Sequence, residues 1–76
     1  MMKWTDLVPG DMVIEGFEDG DLRIFILLCL NNMVPTWLSV DDMIHIVNSD
    51  PFDDSDLSRS ILAVFNSSGE IRYKRQ

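Results

Sequence analysis

His45 is the only histidine and Cys29 the only cysteine of the 76 residues, so any nucleophile–base pair in this chain has to be built through them. A hydroxyl or thiol nucleophile needs a base within hydrogen-bond reach and a third group to orient that base. His45 stands in Ile44-His45-Ile46, where strand alternation turns the imidazole away from its two isoleucines, outward or into an interface. Cys29 stands inside the run Ile24-Phe25-Ile26-Leu27-Leu28-Cys29-Leu30 and reads as a small buried hydrophobe with no base beside it. A lone cysteine forms no internal disulfide and cannot complete the roughly four ligands of a zinc site. The pattern is that of a noncatalytic chain with no metal and no cofactor.

The carboxylates invite a second chemistry. Asp50-Pro51-Phe52-Asp53-Asp54-Ser55-Asp56 is dense in hard oxygen ligands, but a helix–loop–helix calcium loop needs glycine at its sixth position and glutamate at its twelfth. Counted from Asp54, those positions are Arg59 and Phe65. The segment therefore reads as a solvated acidic surface carried by Asp50, Asp53, Asp54 and Asp56. The four glycines, Gly10, Gly16, Gly20 and Gly69, are scattered, so no phosphate-cradling loop exists. Arg72-Tyr73-Lys74-Arg75 combines three bases with an aromatic, the minimum for touching nucleic acid. Against a net charge of −7 this tail balances nearby acids, and long-range repulsion disfavours nucleic acid and anionic lipid as partners.

At 46 % hydrophobic and 25 % charged residues, the composition is that of an ordinary globular chain and excludes a disordered tail. The length suits one domain spanning 1–76. The longest apolar run, from Ile24 to Leu30, is far short of the roughly 20 residues that span a bilayer. The amino end turns polar after Lys3 in place of entering an apolar stretch, so no targeting segment is expected and the cytoplasm is the expected compartment, a host's if the chain is phage-encoded.

Turn chemistry divides the chain into strands. Val8-Pro9-Gly10-Asp11 suits a type II turn, because proline presets the first central position and glycine accepts the positive φ of the second. A strand over 12–16 follows, then the Asp19-Gly20 hairpin signal and a long strand over 22–30. Asn31-Asn32 is expected to close the next hairpin, with strands over 33–40 and 43–47 separated by an Asp41-Asp42 turn. Asp53 is placed to cap a short helical turn near 53–59. A loop of Asn66-Ser67-Ser68-Gly69 then pairs Val64 with Ile71 and Leu62 with Tyr73, putting those four on one face.

The middle hairpin is apolar on both sides. With Asn31-Asn32 as the loop, Ile24, Ile26 and Leu28 share a face with Trp37, while Arg23, Phe25, Leu27 and Cys29 share the other with Leu38 and Val40. Pro35 inside a strand signals an edge position or a bulge that shifts the parity of Trp37 and Leu38. In a small barrel one face fills the interior, so Phe25, Leu27, Trp37 and Leu38 form a candidate interface that needs a cover. The cover is either the later helical turn and hairpin or a second copy of the chain.

Two stretches, Leu7-x-Pro9-Gly10-Asp11-x-Val13 and Trp37-Leu38-Ser39-Val40-Asp41-Asp42-Met43-Ile44-His45-Ile46, resemble the entry and closing segments of small SH3-like barrels. The resemblance implies a mainly β fold, a partly open barrel of five to six antiparallel strands with its core over about 4–47. A helical turn and C-terminal hairpin over 48–76 are then additions. The compact, Asp-rich chain also resembles small uncharacterised proteins of tailed phages and marine bacteria. The expected function is a noncatalytic interaction or assembly module that self-associates, a dimer being favoured, or binds another protein. The alternative is an acidic decoy that mimics nucleic-acid phosphates and binds a basic protein. Changing Asp50, Asp53, Asp54 and Asp56 together to Asn separates the two. Light scattering should find the assembly state of the module unchanged, whereas a decoy would lose its basic partner in a pull-down.

Overall fold

The computed structural model describes residues 1–40 and 43–76. They form a mainly β fold in which six antiparallel strands make one sheet that does not close, in the order β4-β3-β2-β1-β5-β6. The strands are β1 (Met12–Gly16), β2 (Leu22–Asn31), β3 (Val34–Val40), β4 (Ile44–Asn48), β5 (Ile61–Phe65) and β6 (Ile71–Lys74). Four run as a meander, and β5 returns to the free side of β1. The Asp41-Asp42 turn expected between β3 and β4 lies outside the described residues.

The turns follow the residues that can make them, with one shift. Gly10 has φ +97°, the left-handed geometry required after Pro9. The β2–β3 hairpin turns at Asn32 and Met33, with φ of 52° and 66°, and Asn31 pairs with Val34. The loop thus sits one residue later than the expected Asn31-Asn32 pair. Two successive positive φ values match the right-handed strand twist, and the turn tolerates a methionine in the second place at some steric cost.

Three bulges then reset the strand faces. Leu27 pairs with Trp37 and Cys29 with Thr36, so Leu28 is an extra residue in β2. Ile14 pairs with Ala63 and Glu15 with Ile61, leaving Leu62 extra in β5. Val64 pairs with Tyr73 and Phe65 with Ile71, leaving Arg72 extra in β6. Each extra residue flips the alternation beyond it. The predicted bulge near Pro35 is therefore real, but it lies on the partner strand. Pro35 itself lies beyond the last β3–β4 pair, Thr36 with Asn48, where its missing N–H costs no ladder bond on that side. The C-terminal hairpin forms with a different register from the expected one: Val64 and Tyr73 share the inner face, and Ile71 moves to the outer face beside Phe65.

The core lies on one face of the sheet. Val13, Leu27, Trp37, Ile61 and Val64 from the strands are buried together with Leu7 and Leu57 from outside them. The covering layer is irregular. Its one helical element among the described residues is a 3₁₀ turn at Trp4–Asp6. No helical turn forms near 53–59; that stretch is irregular instead, bent at Asp54-Ser55, with an isolated antiparallel bridge between Lys3 and Asp56. Trp4 N donates to Ser55 O at 3.1 Å and Leu57 N to Met2 O at 3.1 Å, so the amino end and residues 55–57 support each other. Phe52 N donates to Met33 O at 2.8 Å and ties the cover to the hairpin tip. Asp53 is not a helix cap: its Oδ1 accepts the hydroxyl and the N–H of Ser55, which holds its carboxyl below the usual range.

One charged contact joins the two ends of the chain. Asp11 is 1 % exposed; its Oδ2 accepts the Val8 N–H at 2.9 Å and an N–H of the Arg72 guanidinium. The other guanidinium nitrogen of Arg72 donates to Asp6 O at 3.0 Å. The bulge at Arg72 places the side chain over Asp11, and the second carboxylate oxygen is buried without a partner among the described residues. Removing the guanidinium leaves a buried anion unpaired, which costs about 3–5 kcal/mol for a fully buried pair. Arg72→Met should therefore lower the unfolding free energy by about 3 kcal/mol, the lower end because the guanidinium is partly exposed. Urea denaturation measures it, and a loss under about 1 kcal/mol would show that the contact is only a surface pair.

Candidate interaction surface

Strand pairing lines up side chains of one face into rows that run across the whole sheet. On the face away from the cover, Ile46, Leu38, Ile26, Met12, Phe65 and Ile71 make one such row, each paired with the next from β4 to β6. Ile44, Val40, Ile24, Ile14, Ala63 and Lys74 make the neighbouring row. Lys74 is the one polar member. None of these side chains is buried, and Ile44, Ile46 and Ile71 are 69 %, 57 % and 60 % exposed. The alternate positions Val13, Leu27, Trp37 and Val64, facing the cover, are all buried. Antiparallel sheets ordinarily put polar residues on the uncovered face, so this face is the departure that needs explaining.

The four residues expected to form an interface divide between the two faces. Leu27 is fully buried, Trp37 is buried, and Phe25 packs against the core. Their cover comes from the chain itself, through Leu7, Leu57, Trp4 and Phe52, and Trp37 Nε1 donates to Ser49 Oγ at 3.1 Å. Phe25, Leu27 and Trp37 are therefore core residues of the chain; the physical reason is the Leu28 bulge, which moves Trp37 to the face of Leu27. Leu38 alone of the four lies on the uncovered face, between Ile26 and Ile46. The C-terminal hairpin does not act as a cover, because it extends the sheet edgewise from β1.

The remaining candidate chemistry stays dispersed. Cys29 is exposed, against the expectation of a buried thiol, because the bulge carries it past the core row. It lies at the level of Thr36 and Asn48, while His45 lies at the level of Ser39 and Phe25, three residues along the sheet and two strands away. His45 is exposed, with Nδ1 3.3 Å from Met43 O. Asp50, Asp53, Asp54 and Asp56 are all exposed on the covering segment. Among the described residues no group of three or more His, Cys, Asp or Glu is placed to hold a metal ion, and no helix is long and apolar enough to cross a membrane.

Compared with known proteins, the chain matches no family model, no curated protein and no solved structure. Core and surface assignments are checked directly by truncation. Leu27→Ala should cost about 3–5 kcal/mol of unfolding free energy, because a fully buried leucine leaves a cavity. Leu38→Ala, at a partly buried position on the uncovered face, should cost less, about 1–2 kcal/mol in dilute protein, in line with its smaller loss of buried area. Equal losses in urea titrations would contradict the assignment of faces.

Proposed function

We propose that this chain is a noncatalytic assembly module that self-associates by packing the uncovered sheet face of one copy against that of another. The single observation that carries the reading is the pair of apolar rows running without an acid across all six strands. With strands about 4.8 Å apart and about 7 Å between rows, the face spans roughly 400–600 Å² in projection, and corrugated side chains add to that. Two such faces bury on the order of 1,000 Å², the lower bound for a specific interface. Sheets stack face to face about 10 Å apart with interdigitated side chains, and a β-sandwich made from two copies satisfies that geometry.

Energetics favour the same partner. Burying the part of one such isoleucine that is still exposed contributes about 1–2 kcal/mol, and each copy brings three. That gross gain is comparable with the roughly 4–15 kcal/mol cost of association, before the half-buried residues of both rows are counted. The net charge of −7 opposes approach, but the rows themselves hold no acid, so the repulsion acts from a distance and is screened by salt. The meander β1 to β4 with β5 returning beside β1 also supports the resemblance to a small SH3-like barrel, here left open.

Absolute mass by light scattering during size exclusion, across a tenfold dilution and at low and high salt, tests the reading. Twice 8.7 kDa, or a higher multiple, that persists at high salt is the expected result. Ile46→Thr with Ile71→Thr, which keeps β-branched side chains while adding hydroxyls, should shift the mass to that of a monomer. A monomer for the unaltered chain under every condition would overturn the proposal.

A further inference from the structure

The cover leaves an opening on the inner face, and the groups around it have one chemistry in common. Trp4, Phe25, Trp37 and Glu15 line a cavity of about 180 Å³, with Ser49 and Val13 beside them. Trp37 and Phe25 stand nearly perpendicular, 69° apart with ring centroids 6.1 Å from each other, so they form two walls of a corner. Phe52 packs edge-on against Trp37 at 5.8 Å and stacks on Trp4 at 5.7 Å, which holds the third aromatic wall in place. Glu15 is half-buried, and Ser60 Oγ donates to its Oε2 at 2.8 Å. No Lys or Arg among the described residues forms an ion pair with it. Arg23, directly across the β1–β2 ladder, is turned aside, its guanidinium carbon 4.5 Å from the centroid of the Phe17 ring.

Aromatic faces carry negative quadrupole potential and attract a cation, most strongly one that sheds its water easily. A carboxylate beside them adds a full charge of the same sign. Lysine and ammonium are strongly hydrated, and their several N–H donors would need more acceptors than the Glu15 carboxylate and the Ser49 hydroxyl offer in this corner. A methylated ammonium has a charge but no N–H to satisfy once it is fully methylated, and its methyl groups pack on indole and phenyl walls. The volume is about six times that of a liquid water and below the roughly 300 Å³ of a site for a drug-sized ligand, so it suits one head group. We propose that the pocket formed by Trp4, Phe25, Trp37 and Glu15 binds the methylated ammonium head of an organic cation. This site is on the opposite side of the sheet from the assembly face and does not rest on the assembly reading.

The test is a titration of the folded chain with tetramethylammonium chloride, at constant ionic strength, followed by the indole N–H signals of Trp4 and Trp37 in NMR. Saturable shifts are expected, at least tenfold tighter than for tert-butanol, a neutral group of similar bulk, or for ammonium chloride. Glu15→Gln keeps an acceptor for Ser60 and should weaken tetramethylammonium at least fivefold, with tert-butanol unchanged and the unfolding midpoint retained. Choline and an N-acetyl-trimethyl-lysine amide separate a free small molecule from a modified side chain as the source of the head group, and saturation by either supports the site. Absence of saturable shifts, or equal binding of tetramethylammonium and tert-butanol to the unaltered chain, would overturn the proposal. The same titration on the Ile46→Thr, Ile71→Thr variant keeps this outcome distinct from that of the assembly experiment.

Discussion

The register of the β2–β3 ladder is the constraint on which the rest of this fold depends. A strand pair with apolar residues on both faces has no hydrophobic signal to choose its register, because either parity buries leucines and isoleucines. Here the turn at Asn32-Met33 and the extra residue at Leu28 decide it, setting Trp37 opposite Leu27. Trp37 is the largest core side chain, and the irregular cover is organised around it: Phe52 packs on its ring, Ser49 accepts its indole N–H, and Trp4 stacks on Phe52. Had the ladder run without a bulge, Trp37 would lie on the opposite face and the cover would have no aromatic anchor.

The two other bulges serve the same economy at the other side of the sheet. Leu62 as an extra residue lets Ile61 and Val64, three apart in sequence, both reach the core. Arg72 as an extra residue carries its guanidinium to the buried Asp11 carboxylate and to Asp6 O, closing the carboxy-terminal strand onto the first turn. Among the described residues, one face of the six-stranded sheet is thus sealed without a helix layer, by loops, two tryptophans and the partly exposed Asp11–Arg72 ion pair. The other face, equally apolar in sequence, carries no such cover among the described residues.

This division gives the two faces different possible work. The outer face offers area without chemistry: branched and aromatic side chains in two rows across the strands. The inner face offers chemistry in a small area, because the loops that cover it leave a corner between rings beside a carboxylate whose cross-strand neighbour Arg23 lies over Phe17. The acidic segment belongs to the cover, and its charges keep that side hydrated.

The amino-acid sequence by itself determined the class of fold and most of its parts. Proline, glycine, Asp-Gly and Asn punctuation located β1, the long β2 and the later hairpins to within a residue or so, and the two-sided apolarity of β2 and β3 announced that some surface would need a cover. Absence of a second histidine, of ligand spacing and of a glycine-rich loop narrows the chemistry these residues can support. Which residues formed the core and which the surface was decided only in the tertiary structure. Only the bulge near Pro35 carried a residue signal; each bulge inverts the parity by which faces are read, so Trp37 joined Phe25 and Leu27 in the core and Ile71 went to the surface. The stretch near 53–59 formed no helical turn because bonds with the amino end satisfied part of its backbone, an interaction between residues some fifty positions apart that no local propensity encodes. The aromatic corner is of the same kind: Trp4, Glu15, Phe25 and Trp37 come from separate segments, and only the folded sheet brings them together.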